Sequence, residues 1–189
     1  NMSTDLSNWS NFASGKDAPE KKNIKKIIKC DTWSISEILS KAEENRKNDP
    51  LDIEWVVTEL FGLKIQKTDL GDTTSGFLNQ LDDGWCIFVN KYENERRQRF
   101  TIAHELGHFL LHKSKPTFEK DFIFFRDNNN NKEEREANDF AAELLMPENY
   151  VRDYIAKGNN TIKLLADKFY LSTPAVKYRV YKLGLISEY

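Results

Sequence analysis

Residues 100–112 have the sequence FTIAHELGHFLLH, which contains the pattern His-Glu-x-x-His. Side chains four residues apart lie on one face of a helix, so His104 and His108 can reach one metal ion together. Glu105 lies beside that face, where it can hold a water on the metal and take its proton. The flanking positions are almost all apolar, which predicts a buried helix. The alternative is a pair of core histidines bonded to backbone, with Glu105 on a solvated edge.

A third metal ligand is needed, because a catalytic zinc site uses three protein ligands and leaves one position for water. An all-histidine set would place its third His ten residues after His104, but that position is Ser114. His112 is rotated by roughly 80 degrees from His104 on helical geometry. We therefore interpret His112 as a residue that interacts with the helix dipole or supports a ligand. The third ligand should be a carboxylate outside this helix.

The predicted helix at residues 132–146 offers that carboxylate. Its buried stripe consists of small and apolar side chains: Ala137, Phe140, Ala141, Leu144 and Leu145. Glu134 precedes members of this stripe by three and seven residues and so points to the buried side. Glu133, on the other edge of the stripe, is the second candidate, and Glu136 is expected on the solvent face. The alternative is an acidic first turn that the helix dipole favours.

The segments before residue 100 indicate how the sheet is built. Two predicted helices come first and three predicted strands follow, at residues 34–47, 53–61, 63–67, 75–81 and 85–90. Residues 82–84, Asp-Asp-Gly, join the last two strands as a hairpin. We therefore predict an α+β domain with a small antiparallel sheet in front of the metal-binding helix. An exposed strand edge could hold an extended peptide; a purely structural sheet is the alternative.

Single residues mark the helix ends and one helix contact. Ser34 with Glu37 predicts a capping box. Asp52 is predicted to cap the second helix and Gly62 to close it in a left-handed conformation. Gly107 inside the metal-binding helix costs roughly 1 kcal/mol relative to Ala, which predicts a close backbone approach to another element such as the sheet or the metal site.

The C-terminal segment predicts three further helices at residues 148–157, 161–169 and 173–183. The last two have helix-turn-helix spacing. Direct DNA binding by the last helix is one hypothesis, because that helix carries Lys177, Tyr178, Arg179, Tyr181 and Lys182. The net charge of −2 argues against it. We favour packing on the preceding domain or docking of a protein partner.

Composition sets the class and compartment that we expect. The length of 189 residues suits one domain, or one domain with a small appendage, and a hydrophobic content of 39% is enough for a core. No apolar run is long enough to span a bilayer, and the N-terminus lacks the apolar centre of a signal peptide. Cys86 reads as a small buried hydrophobe, and the low cysteine count favours a reduced setting. We therefore expect a cytoplasmic protein without a membrane partner.

Three regions follow from these patterns. Residues 1–30 are predicted to be a mobile, basic N-terminal tail, with an amphipathic stretch at 20–30 that packs on the domain or offers a nucleic-acid or membrane patch. Residues 31–147 form the metal-binding domain and residues 148–189 a helical subdomain packed on it. Inside the domain, residues 113–131 are a loop with an aromatic cluster that covers a cleft or seals the core.

Two linked motifs resemble the ImmA/IrrE family of metallopeptidases. They are RQRFTIAHELGHFLLH at 97–112 and ExxANxFAxxLLMP at 134–147, and the likeness extends over roughly residues 34–186. The resemblance implies a zincin-like α+β domain with His104, His108 and Glu134 as metal ligands. It also implies Glu105 as the catalytic base.

The same resemblance implies a cofactor and a substrate. We expect Zn²⁺, although two His and one carboxylate also admit Mn²⁺ or Fe²⁺. The family implies an intracellular endopeptidase that cleaves a DNA-binding repressor of a phage or mobile element. The expected partner is therefore a helix-turn-helix repressor or antitoxin. The alternatives are a toxin of a toxin–antitoxin pair and a non-proteolytic module that binds a helix-turn-helix regulator.

Overall fold

A computed structural model describes residues 33–45, 50–113 and 131–187. The predictions for the tail at residues 1–30 lie outside these residues. So do those for the aromatic loop, apart from its two end residues. Within the described ranges no helix is long and apolar enough to cross a membrane.

Helices and strands follow in the mixed order expected of an α+β fold, which confirms that class. The elements are α1 (Ile35–Asn45), α2 (Ile53–Trp55) with a π-helical continuation (Val56–Leu60), β1 (Lys64–Thr68), β2 (Gly76–Leu81), β3 (Gly84–Asn90), α3 (Glu95–His112), α4 (Asn131–Leu145), α5 (Glu148–Ala156), α6 (Ile162–Phe169) and α7 (Thr173–Lys182). Each predicted helix and strand within the described residues is present, with ends that differ by one or two residues.

The sheet is mixed, so the prediction of an antiparallel sheet was wrong. Its strand order is β1-β3-β2, with β1 parallel and β2 antiparallel to β3. The predicted hairpin is present, and Leu81 pairs with Gly84 across it. β3 takes the centre because it is the most apolar strand, with its last five residues buried. The chain at 69–75 therefore passes over the end of β3, a span of about 10 Å, before β2 runs back.

The helix α3, which carries the His104–His108 motif, lies along β2 and β3. Gly76 of β2 touches it so closely that an added Cβ would stand 2.5 Å from Cγ2 of Thr101. Further along, the rings of Trp85 and Phe109 meet edge to face with centroids 5.8 Å apart. β2 is thus the edge strand that contacts α3. Cys86 in β3 is 2% exposed, as predicted, and burial raises the pKa of its thiol to about 11.

The predicted caps hold the ends of the first two helices. The amide of Ser34 donates to Oε2 of Glu37 at 2.7 Å, and the amide of Glu37 donates to Oγ of Ser34 at 3.3 Å. Oδ1 of Asp52 accepts from the amide of Trp55 at 3.0 Å. Gly62 has a φ of 65°, the left-handed conformation that the sequence predicted.

The helix α7 is tied to α4 through its polar side chains. Buried Arg179 donates from Nε to the carbonyl of Met146 at 2.9 Å. Asp139 accepts a hydrogen bond from the Tyr178 hydroxyl and pairs with Nζ of Lys182 at 2.9 Å. Two of the three basic residues that suggested DNA binding thus contact the chain itself. The domain boundary at residue 147 and the helix-turn-helix likeness of α6 and α7 stay predictions.

Candidate metal centre

The helix α3 is buried on nearly all sides, as its sequence predicted. It begins after Asn94, whose side chain accepts a hydrogen bond from the amide of Arg97 at 3.0 Å. His104 is 5%, Glu105 2% and His108 8% exposed. The motif therefore lies inside the protein, where polar groups need partners.

Close packing between α3 and α4 carries Glu134 to the two histidines. A Cβ added to Gly107 would stand 3.1 Å from Cδ1 of Phe140 and 3.2 Å from Cα of Ala137. The predicted close approach at Gly107 is confirmed, and the element approached is α4. Because Glu134 precedes Ala137 by about one turn, this contact fixes how near its carboxylate comes to α3.

Three side chains converge on one point between the helices. Nε2 of His104 lies 3.0 Å from Nε2 of His108. The Glu134 carboxylate reaches both rings, with Oε2 3.4 Å from Nε2 of His104 and Oε1 3.3 Å from Nε2 of His108. The three ligand atoms lie within 4.8 Å of one another. Binding of an ion by them stays a prediction.

The donor set fits zinc. Two imidazole nitrogens and one carboxylate oxygen are ligands that zinc takes in catalytic sites, with a fourth position left for water. All three groups are Lewis bases that point at one another within a largely buried space, so a proton or a cation between them is needed to offset their repulsion. The residues present therefore suit a bound divalent metal ion.

Electrostatic coupling within the cluster shifts two pKa values of the metal-free site. Burial by itself would lower the pKa of His104, but the hydrogen bond and charge of Glu134 outweigh it and raise that pKa above 6.5. Burial would likewise raise the pKa of Glu134. Hydrogen bonds from His104 and His108 and their charges instead hold it well below 4.5. The site thus attracts positive charge, whether a proton or a metal ion.

The catalytic candidate Glu105 lies next to this cluster. Its negative charge is among the causes that raise the pKa of His104. As the residue that follows His104 on the helix, it is rotated by about 100 degrees from that ligand. A carboxylate in this place can accept a proton from a water at the metal position. Its role as base stays a prediction.

Behind the cluster, each histidine has a partner for its other ring nitrogen. Nδ1 of His104 lies 2.9 Å from Oδ1 of Asn138. Nδ1 of His108 lies 3.1 Å from Nδ1 of His112, so His112 contacts a proposed ligand, and its supporting role stays a prediction. Nε2 of His112 in turn contacts Oε2 of Glu136 at 3.1 Å.

Sequence reasoning missed Asn138 and misplaced Glu136. Asn138 had a signal, because it follows Glu134 by four residues and so shares its face. Glu136 was expected on the solvent face, and that prediction was wrong, because its half-buried side chain reaches His112. His112 stands at the end of α3 and away from the face of His104, so it meets α4 on a different side from Glu134.

Two comparisons with known proteins identify the family of the chain. The pattern of the IrrE N-terminal-like domain family matches residues 58–181, well over half of the chain. The chain is also 29% identical over 137 residues to Metallopeptidase ImmA of Bacillus subtilis (strain 168). The aligned region covers 71% of this chain and 78% of that protein. The family match includes the sheet, α3 and α4. The chain therefore belongs to the ImmA/IrrE family of metallopeptidases.

Proposed function

We propose that this protein is a zinc-dependent endopeptidase with Glu105 as its general base. The observation that carries the proposal is the convergence of His104, His108 and Glu134 within 4.8 Å, on two helices, with Glu105 buried beside them. Structural zinc sites are closed by four protein ligands, whereas three ligands and an adjacent carboxylate suit hydrolysis.

The residues of the chain have separate roles in the proposed reaction. His104, His108 and Glu134 would hold the zinc, which when bound polarises the scissile carbonyl and lowers the pKa of a water. Glu105 takes the proton of the attacking water and delivers it to the leaving nitrogen. His104, Glu105 and His108 are each buried, which limits the access of bulk water to these transfers.

The edge strand β2 is the proposed binding site for an extended substrate. It borders α3 and pairs with β3 on one side, and within the described residues no strand covers its other side. A peptide added there would gain main-chain hydrogen bonds while its side chains alternate between the two faces. This mode suits an unfolded or locally extended stretch of a protein substrate.

The proposed substrate is a helix-turn-helix repressor of a phage or mobile element, cleaved in the cytoplasm. The family resemblance of the sequence motifs supports this substrate class. The contacts of Tyr178, Arg179 and Lys182 with α4 and Met146 favour a docking role for the C-terminal helices over direct DNA binding, because they engage the polar side chains of α7. Leu164 and Tyr181 remain exposed on α6 and α7 for such a contact.

Cleavage assays with candidate helix-turn-helix repressors, chosen first from any that a neighbouring gene encodes, test the proposal. The wild-type protein should cut the repressor, a chelator should abolish the reaction and added Zn²⁺ should restore it. Glu105→Gln should lower the rate by about 10²–10⁴-fold while zinc stays bound. Glu143→Gln, an exposed site on α4, is the matched control and should cleave like the wild type.

The same assay separates the alternatives. Stable co-purification with the repressor without cleavage, in the presence of Zn²⁺, would favour a binding module. Wild-type cleavage by Glu105→Gln would refute its role as base. Salt-sensitive DNA binding by the full-length protein would support direct DNA binding by the C-terminal helices over docking of a protein partner.

A further inference from the structure

We propose that His112 and Glu136 form a hydrogen-bonded chain that fixes the ring of His108 for metal binding. The chain runs from Oε2 of Glu136 to Nε2 of His112 at 3.1 Å, and from Nδ1 of His112 to Nδ1 of His108 at 3.1 Å. Nε2 of His108 then faces His104 and Glu134. The inference rests on the proposed function, because it assumes that the cluster binds a metal ion.

The proton positions along this chain have one consistent assignment. A metal ligand must offer its lone pair at Nε2, so His108 carries its proton on Nδ1 and donates it to His112. His112 accepts at Nδ1, and its own proton is therefore on Nε2. From there it donates to the Glu136 carboxylate. Every contact is then a donor–acceptor pair, and the negative charge of Glu136 supports the donor strength of His108.

Burial makes His112 a specific link in this chain. It is 1% exposed, so neither ring nitrogen can exchange its protein partner for bulk water at low cost. The Glu136 side chain is 39% exposed and closes the chain at its outer end. An apolar side chain would fill the position of His112 equally well for packing alone. An imidazole there is explained by the two hydrogen bonds.

The two ligand histidines are supported in different ways. His104 meets the neutral amide of Asn138, whereas His108 is backed through His112 by a carboxylate. Glu134, Glu136 and Asn138 all come from the same two turns of α4. One short segment thus supplies both the third ligand and the supports of the other two, so α3 and α4 must dock before the site is complete.

Zinc affinity of the full-length protein tests the chain, with Zn²⁺ alone as the probe and a chromophoric chelator as competitor. Glu136→Gln should weaken zinc binding by about tenfold and His112→Leu by up to about 100-fold. His112→Asn should lie between them, because its side-chain oxygen can still accept from His108. Lys132→Gln removes the exposed ion-pair partner of Glu136 and should bind zinc like the wild type.

A double variant separates a linked chain from a general effect. If Glu136 acts through His112, adding Glu136→Gln to His112→Leu should cause no further loss of affinity. Additive losses would overturn the inference. So would an equal loss in Glu133→Gln, which removes the same charge from the same turn, since charge alone would then suffice.

The outcomes also separate this inference from the proposed function. Wild-type zinc affinity in Glu136→Gln, an isosteric change at a half-exposed position that leaves folding intact, would overturn the chain but leave the peptidase proposal standing. A wild-type protein that binds no zinc would overturn both. The expected pattern is tight binding by the wild type and graded losses in the order Glu136→Gln, His112→Asn, His112→Leu.

Discussion

The Cα of Ala137 in α4 lies 3.2 Å from the point where a Cβ on Gly107 of α3 would stand. A Cβ at that position would be tighter than an ordinary contact, so the two helices would have to separate by a few tenths of an ångström. In the sequence of α3, Gly107 lies between His104 and His108. In α4, Ala137 follows Glu134 by three residues. The separation of the helices at Gly107 therefore sets the size of the proposed metal centre.

Substitution of Gly107 should open that centre. An added Cβ meets backbone atoms of α4, which cannot rotate away, so Gly107→Val should lower the free energy of unfolding by about 1–3 kcal/mol. Gly107→Ala should do less harm, because its gain in helix propensity of roughly 1 kcal/mol offsets part of the strain. Denaturant unfolding and zinc titration of both variants check this. Equal zinc affinity in both variants and the wild type would contradict it.

The choice of Glu134 over Glu133 as ligand can be tested by one pair of variants. Glu134→Ala removes one of three converging groups and should weaken zinc binding by at least about 100-fold, since losing even an outer partner of a ligand costs about 10–100-fold. Glu133→Ala makes the same truncation at the neighbouring residue and should leave zinc binding at the wild-type level. Zinc content after dialysis, measured by atomic absorption, distinguishes them. The reverse result would move the ligand to Glu133.

The stability of the metal-free protein should depend on pH through His104 and Glu134. The pKa of His104 is raised above 6.5, so its contribution is full below 6.5 and is lost as pH rises through the raised value. The pKa of Glu134 is lowered from 4.5, so its contribution is full above 4.5 and is lost only well below it. The pair thus stabilises the folded protein most between pH 4.5 and pH 6.5.

Unfolding of chelator-treated protein at about pH 6 and about pH 9 measures this effect. The free energy of unfolding should fall with rising pH by about 1.4 kcal/mol for each unit by which the pKa of His104 is raised. Glu134→Gln removes the cause and should flatten the dependence. Zinc binding should strengthen with pH instead, because the imidazole must lose its proton to bind metal. A wild-type protein without this slope would contradict the pairing.

Attachment of α7 should depend on Arg179 more than on the exposed ion pairs. Arg179→Met leaves the carbonyl of Met146 without its buried donor and should lower the free energy of unfolding by about 1–3 kcal/mol. Arg152→Met is the matched control. It loses an exposed pair with Glu148, which should change stability by less than about 1 kcal/mol. Similar losses in both variants would show that burial of Arg179 has no special effect.

The parts of the fold differ in how well the sequence predicted them. The capping box at Ser34 and the left-handed Gly62 follow from local backbone chemistry and were predicted correctly. The parallel pairing of β1 with β3 was not, because strand order depends on which strand gains most from a central, buried place. Glu136 was placed on the wrong face for a related reason. Helical periodicity defines faces of one helix, but it does not say which face a second helix covers.

The local chemistry of the site follows from the order of residues along α3. The helical period puts His104 and His108 on one face, and the apolar flanks bury them together with Glu105. The residues that complete the site depend on the packing of α3 against α4, because these helices meet through contacts distant in the chain. The Gly107–Ala137 contact brings Glu134 to the two rings, and the docked helices set His112 against Glu136. Spacing along one helix fixes directions, whereas distances between helices depend on the packing of both.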